Sequence, residues 1–248
     1  MPQPVMPPRS ASVSDLLDAA TRVFHATLAK GLPVALFAML LAALPDMYWM
    51  TTGAPMDLLH PPRDPKFWVL SAVGFAAYQL LAAMLMLRQR ALLQGLPPSL
   101  TAEFAEALGR WPLLLVGFVL GGLAVFIGTL ALIVPGLFLL VCFLLLRPVL
   151  LFETLDPLAA LRRCLQLVKP MWVKVLAAAL IAALIFVICV VAASAVLGIV
   201  QAIATAAGSR SGAWSAFVAA CTLGIQAVAL VYFNALWLVL YSAASSSA

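Results

Sequence analysis

The chain reads as an all-α, polytopic membrane protein with six transmembrane helices, and three features predict it. Of its residues 65% are hydrophobic and only 9% charged, with a mean hydropathy of +1.13, whereas a soluble domain carries about 25% charged residues. Apolar runs that reach the ~20 residues needed to cross the hydrocarbon core recur along it, punctuated by Pro, Gly and charged clusters. The basic residues lie beside these runs rather than in one exposed block, so the net charge of +5 fits an anionic lipid surface and not nucleic acid. The expected organisation is a disordered tail at 1–11, a six-span membrane domain at 12–243 and a short tail at 244–248.

Met1 to Ala11 hold Pro2, Pro4, Pro7 and Pro8 without apolar periodicity, which predicts disorder. The first long apolar stretch begins near Gly31, too late for a cleaved signal peptide. Before it, Ser12 with Asp15 three positions on opens an amphipathic helix. Leu16, Ala20, Val23, Phe24 and Leu28 share one face of it, with Thr27 as a polar intruder. This surface helix ends at Lys30-Gly31, and the first span follows at Leu32 to Met50. A polar loop holds Asp57, His60, Pro61, Pro62, Arg63, Asp64 and Lys66; with no second His or Cys nearby, His60 reads as a solvated histidine rather than a metal ligand.

The second span runs from Phe67 to about Leu87 and continues through Arg88-Gln89-Arg90 as a helix emerging into water, until Gly95-Leu96-Pro97-Pro98 stops it. Ser99 to Arg110 is a second short amphipathic helix. Leu100, Phe104, Leu108 and Trp111 lie on one side, and Glu103 and Glu106 stand early, where the helix dipole favours them. The third span, Pro112 to Val134, contains a GxxxG at Gly117 and Gly121 that permits close helix approach, including dimerisation.

Pro135-Gly136 interrupts an apolar run from Leu113 to Leu146 and reads as the turn into a fourth span, from about Gly136 to Phe152. Arg147 sits inside that span, where a charge costs roughly 2.5 to 3.5 kcal/mol at the bilayer centre unless it snorkels or finds a partner. Snorkelling toward the C-terminal end is awkward, because side chains lean toward the helix N-terminus. Glu153 is the nearest carboxylate in sequence, yet six residues on a straight helix turn it ~240° away and ~9 Å along the axis. Pairing therefore needs a distortion at Pro148, or else Arg147 reaches Gln79, Asn234 or backbone carbonyls freed at Pro148.

Asp156-Pro157 marks a helix start, with an aspartate cap and Pro at the first position. In the helix that follows, Leu158, Ala160, Leu161, Cys164, Leu165, Leu167 and Val168 fill one half of the wheel, and Arg162, Arg163, Gln166 and Lys169 the other. The expectation is a helix lying on the membrane surface with its basic face outward. Pro170 ends it and Trp172 anchors the next span at the headgroups. That fifth span, Val173 to Ala207, exceeds one bilayer and must tilt, kink or project. Gly208 to Gly212 forms a turn, and the last span covers about Trp214 to Tyr241.

Pro135, Gly136, Glu153, Pro157, Ala160, Leu161, Arg162, Arg163 and Trp172 together resemble the YciC-type bacterial inner-membrane proteins. The stretch is also similar to the related membrane domain fused to some glycerophosphodiester phosphodiesterases. Two departures are Cys164, where a small polar residue is usual, and Pro170, where a Gly is usual before the Trp. The resemblance implies a multi-span membrane protein. It does not imply phosphodiesterase activity, for which this chain has neither a soluble domain nor enough histidines.

Three times an amphipathic stretch ends in a basic residue, meets a proline and becomes a span: Lys30 to Pro33, Arg110 to Pro112, Lys169 to Pro170. This reads either as three degenerate copies of a surface helix plus hairpin, or as common hairpin architecture. Cys142, Cys164, Cys189 and Cys221 lie in or beside apolar segments and read as structural thiols. No GxSxG, HExxH, P-loop or paired carboxylates occur, and neither His25 nor His60 falls in an expected span. The sequence thus predicts no catalytic residues, no metal and no cofactor. It points to a non-enzymatic, multi-pass inner-membrane protein in envelope or lipid homeostasis, or a scaffold for a membrane-protein partner. Arg147, Glu153, Arg162, Arg163 and Lys169 are the candidates for binding anionic lipid headgroups. The alternative is a transporter or channel for an anionic small or lipidic substrate, with Arg147 in its path. A water-accessible cavity at Arg147 favours transport, and a closed pairing favours structure.

Overall fold

The computed structural model describes residues 7–52, 64–153, 156–206 and 212–246. Every regular element among them is helical: α1 (Val13–Ala42), α2 (Leu44–Thr52), α3 (Pro65–Leu93), α4 (Leu100–Ala131), α5 (Ile133–Phe143), α6 (Leu146–Phe152), α7 (Pro157–Val168), a 3-10 turn (Lys169–Met171), α8 (Trp172–Ala206) and α9 (Gly212–Ser245). Six stretches are long and apolar enough to cross a membrane: α1, α3, α4, α5 with α6, α7 into α8, and most of α9. The loop with Asp57, His60 and Arg63, the turn residues Gly208, Ser209, Arg210 and Ser211, and the first six residues of the tail lie outside the described residues.

The centre of the bundle is α1 packed on α3 and α9, and α4 joins α3 to the α5–α6 arm. The shared core includes Leu16, Val23, Leu85, Met86, Leu150, Leu236 and Leu240. Helix α8 joins it only through its first turns, with Val175, Ala178 and Ala182 buried and Leu184, Ile188, Val191 and Val196 exposed along the remainder. Exposed apolar residues of this kind are what a lipid-facing helix presents.

Several boundaries depart from the sequence expectation, each for a packing reason. The end of the expected first span falls in the separate α2, and its first part is continuous with the surface helix as one α1 running through Pro33. Its N-terminal half buries Leu16, Ala19, Ala20 and Val23 within the bundle, so it does not have to bend into the interface to hide its apolar face. Ser12 and Asp15 form the expected capping box. The second amphipathic stretch is likewise continuous with its span as α4, through Pro112. Its apolar side points outward, with Leu100, Phe104 and Leu108 exposed and Glu103 and Ala107 buried. Only in the third unit does the amphipathic segment stand as a separate helix, α7.

The reversal between the third and fourth spans is at Leu132, whose backbone is extended (φ −162°, ψ 141°), and not at Pro135-Gly136. Gly136 lies inside α5 against α4: an added Cβ would meet Thr129 Oγ1 at 2.1 Å and the Thr129 backbone at 2.7 Å. It permits close approach rather than a left-handed turn. The glycine that does take positive φ is Gly95 (72°), where the amides of Leu96 and Gly95 close back on the carbonyls of Ala91 and Leu92 and end α3 as a Schellman motif. Gly117 and Gly121 face Leu150 and Leu146 of the same chain; this GxxxG serves packing of α4 on α6.

Candidate functional site

Pro148 has no N–H for the Leu144 carbonyl, and the fourth span breaks there into α5 and α6 with Leu144 and Leu145 as the joint. Arg147 stands immediately before Pro148 and is 8% exposed. It does not pair with Glu153. Its Nη1 donates to Asn234 Oδ1 at 3.0 Å and its Nη2 to Gln79 Oε1 at 2.8 Å, and Asn234 in turn donates to the Ala82 carbonyl at 3.1 Å. The guanidinium also lies over the rings of Phe118 and Tyr78, 5.4 and 5.7 Å from their centroids. Two amide oxygens and two π faces spread the charge without a carboxylate. The arrangement pairs both terminal nitrogens, leaves the buried Nε without a hydrogen bond, and ties α6 to α3 and α9.

A second polar layer was not foreseen. Arg88 and Gln89 are buried rather than emerging into water. Arg88 Nε donates to Glu103 Oε2 at 2.8 Å, and its Nη1 to the Lys30 carbonyl at 3.0 Å. Gln89 Nε2 donates to Thr27 Oγ1 at 3.3 Å and to the Val231 carbonyl at 2.9 Å. Thr27, the intruder on the apolar face of α1, is therefore an interior acceptor. The signal was present in Thr27 and Glu103, polar residues at positions that helical periodicity assigns to single faces.

The remaining candidates gather at the α7 end of the bundle. Asp156 Oδ1 accepts from the Ala159 amide at 2.6 Å and caps α7, as expected. Ala160, Leu161, Cys164, Leu167 and Val168 are buried against α4, α5, α6 and α9, so the apolar half of this helix faces protein rather than the bilayer. The opposite half leaves Arg162, Gln166 and Lys169 exposed and Arg163 half-buried. Arg163 Nε reaches Glu153 Oε2 at 3.0 Å, and Tyr241 Oη donates to Glu153 Oε1 at 3.2 Å. The structure thus unites Glu153 with Arg163, keeps Arg162 and Lys169 on the same face, and separates Arg147 from them.

Arg90 and Arg110 belong to this end too. The Arg90 guanidinium stacks 4.2 Å above the Phe152 ring, and Arg110 Nη1 approaches the Leu150 carbonyl at 3.5 Å. Lys174 spends its ammonium on the carbonyls of Arg9, Ser10 and Ala11, at 3.2, 3.3 and 2.9 Å, and fastens the N-terminal segment to the start of α8. Away from this end, Asp64 caps α3 through the Lys66 amide and accepts from the Tyr48 hydroxyl. The Tyr48 hydroxyl, followed by that amide, holds the Asp64 carboxyl below its usual range.

Among the described residues no group of three or more His, Cys, Asp or Glu side chains comes together to hold a metal. Comparison of the chain with family models, curated proteins and solved structures finds no match.

Proposed function

We propose that this chain is a non-enzymatic, multi-pass protein of a bacterial inner membrane that acts in envelope or lipid homeostasis, or as a membrane scaffold, by gathering anionic headgroups at its α7 end. The observation that carries this reading is α7 itself: one half buried in the bundle, the other presenting Arg162, Arg163 and Lys169. A cationic ledge at a membrane boundary gains about 1 kcal/mol per Lys or Arg from an anionic leaflet. The residues resembling the YciC-type family, Arg162 and Arg163 among them, support the same assignment. The pairing of Arg147 with Gln79 and Asn234 supports a structural role for it over a place in a transport path.

Orientation follows from charge. Arg9, Arg22 and Lys30, then Arg88, Arg90 and Arg110, then Arg147, Arg162, Arg163, Lys169 and Lys174 fall to one side, facing Arg63, Lys66 and Arg210 on the other. Basic residues favour the cytoplasm, so both termini lie there. An alkaline phosphatase fused to the C-terminus is expected to be inactive; activity would overturn the topology. Nanodisc reconstitution tests the binding. Arg162→Glu with Arg163→Glu is expected to weaken association with phosphatidylglycerol by about 1 kcal/mol per charge removed, and unchanged association would sink the reading.

A further inference from the structure

At the α7 end, guanidinium groups outnumber carboxylates. Of the carboxylates there, Asp156 is taken up in capping α7, and Glu153, at the end of α6, is held by Arg163 and Tyr241. Arg163 uses Nε for that bond, which leaves the terminal edge of its fork available. Arg90 is exposed, with one face of its guanidinium covered by Phe152 at 4.2 Å. A stacked guanidinium keeps its rim of in-plane N–H donors open. Phe152 packs in turn on Tyr241, with ring centroids 5.6 Å apart. Arg90 and Arg163 therefore flank one aromatic and hydroxyl centre, Arg90 through Phe152 and Arg163 through Glu153. Arg110 adds a third cation on the Leu150 side, where its contact is a carbonyl.

We propose that Arg90 and Arg163 form a binding site for the phosphodiester of an anionic phospholipid, closed by Phe152 and Tyr241, in which Glu153 is the internal anion that the phosphate competes against. This rests on the headgroup reading above and deepens it by naming the seat. The chemistry fits in three ways. Arginine forks match phosphate oxygens bidentately, and more closely than an ammonium does. The Tyr241 hydroxyl supplies a neutral donor that can turn from carboxylate to phosphate. The seat lies where α3, α6, α7 and α9 meet at the end of the spans, with aromatic rings of the kind that sit at headgroup depth; this favours a lipid over a soluble phosphate. Glu153 has a defined effect: its charge keeps Arg163 placed and repels a bound phosphate, so the lipid remains exchangeable.

The test uses the full chain in a phosphate-free maltoside detergent, titrated with phosphatidylglycerol and followed by native mass spectrometry. Arg90→Gln is expected to lower apparent affinity about fivefold, the loss of one favourable charge. Glu153→Gln is expected to raise it by a similar factor, because the amide still bridges Tyr241 and Arg163 without repelling phosphate. If both variants bind like wild type while Arg162→Gln with Lys169→Gln binds more weakly, the seat is wrong and the broader headgroup reading stands. If no variant changes binding, both fail. Inorganic phosphate that binds in place of the lipid, at the same concentration and with the same Arg90 dependence, overturns the lipid assignment. Should Glu153→Gln not fold, the exposed Arg90 decides the matter alone.

Discussion

Arg147 Nη1 lies 3.0 Å from Asn234 Oδ1, and through that contact a charge inside the fourth span is hydrogen-bonded by an amide of the last. The same asparagine donates to the Ala82 carbonyl, so one residue links three of the spanning helices. Replacing Arg147 by Leu removes a buried charge but leaves two acceptors, Asn234 Oδ1 and Gln79 Oε1, facing apolar neighbours. Each unsatisfied buried group costs roughly 1–3 kcal/mol, although hydrogen bonds between membrane helices average nearer 0.6 kcal/mol. The expected outcome is a loss of ~1–3 kcal/mol in detergent unfolding. Asn234→Leu combined with Arg147→Leu should cost less than the two single changes added together. Unchanged stability and cellular function in Arg147→Leu would overturn both structural and binding roles.

Glycine substitutions separate close approach from chance. A Cβ on Gly136 would fall 2.1 Å from Thr129 Oγ1 and 2.7 Å from backbone that cannot swing away, whereas one on Gly122 meets nothing within 4 Å. Gly136→Ala is expected to pry α5 from α4 and cost about 1–3 kcal/mol. Gly122→Ala should be neutral, or stabilise by about 0.5–1 kcal/mol through helix propensity. Equal melting temperatures for the two variants would contradict the geometry.

Asp64 gives a pH dependence of defined sign. Its carboxyl is held low by the Tyr48 hydroxyl and the Lys66 amide, so it binds a proton less readily folded than unfolded. The stability it contributes is present above the unfolded value of about 3.9 and disappears as pH falls through the lowered folded value. Asp64→Asn should melt below wild type at pH 7, and the gap should narrow as the pH falls below about 3.9 toward the lowered folded value. A gap that persists at the acid end would assign the effect to packing instead.

The span count and the partners of Arg147 were legible because a bilayer punishes unpaired polarity: a charge amid apolar residues had to face inward, and Gln79 and Asn234 were among the few polar groups able to meet it. The Asp156 cap and the Ser12–Asp15 box were legible because capping is local in sequence. What escaped was the inward turn of Glu103, Arg88 and Gln89. In water an apolar stripe marks the core, but Leu100, Phe104 and Leu108 point outward and Glu103 inward, since the surroundings of a membrane helix are as apolar as its interior. Gly136 was misread for a related reason: Pro-Gly signals a turn in soluble chains, and here its value is the absent Cβ.

That inversion makes the Arg88–Glu103 pair the most sensitive place in the bundle. The two side chains are 9% and 7% exposed and 2.8 Å apart, on the neighbouring helices α3 and α4. Arg88 also donates to the Lys30 carbonyl of α1, so losing it strands a buried carboxylate and removes a tie to α1. Breaking a buried pair by removing one partner typically costs 3–5 kcal/mol, while replacing both with apolar residues of similar size is often neutral or stabilising. Arg88→Met alone is therefore expected to lose about 3–5 kcal/mol. Glu103→Gln should lose less, because its amide oxygen still accepts from Arg88 Nε. Arg88→Met with Glu103→Leu should recover most of the loss, short of the part owed to the Lys30 carbonyl. Chemical unfolding of the three variants in one detergent measures this. A double variant no more stable than Arg88→Met would mean that the pair is not where the energy of this interface lies.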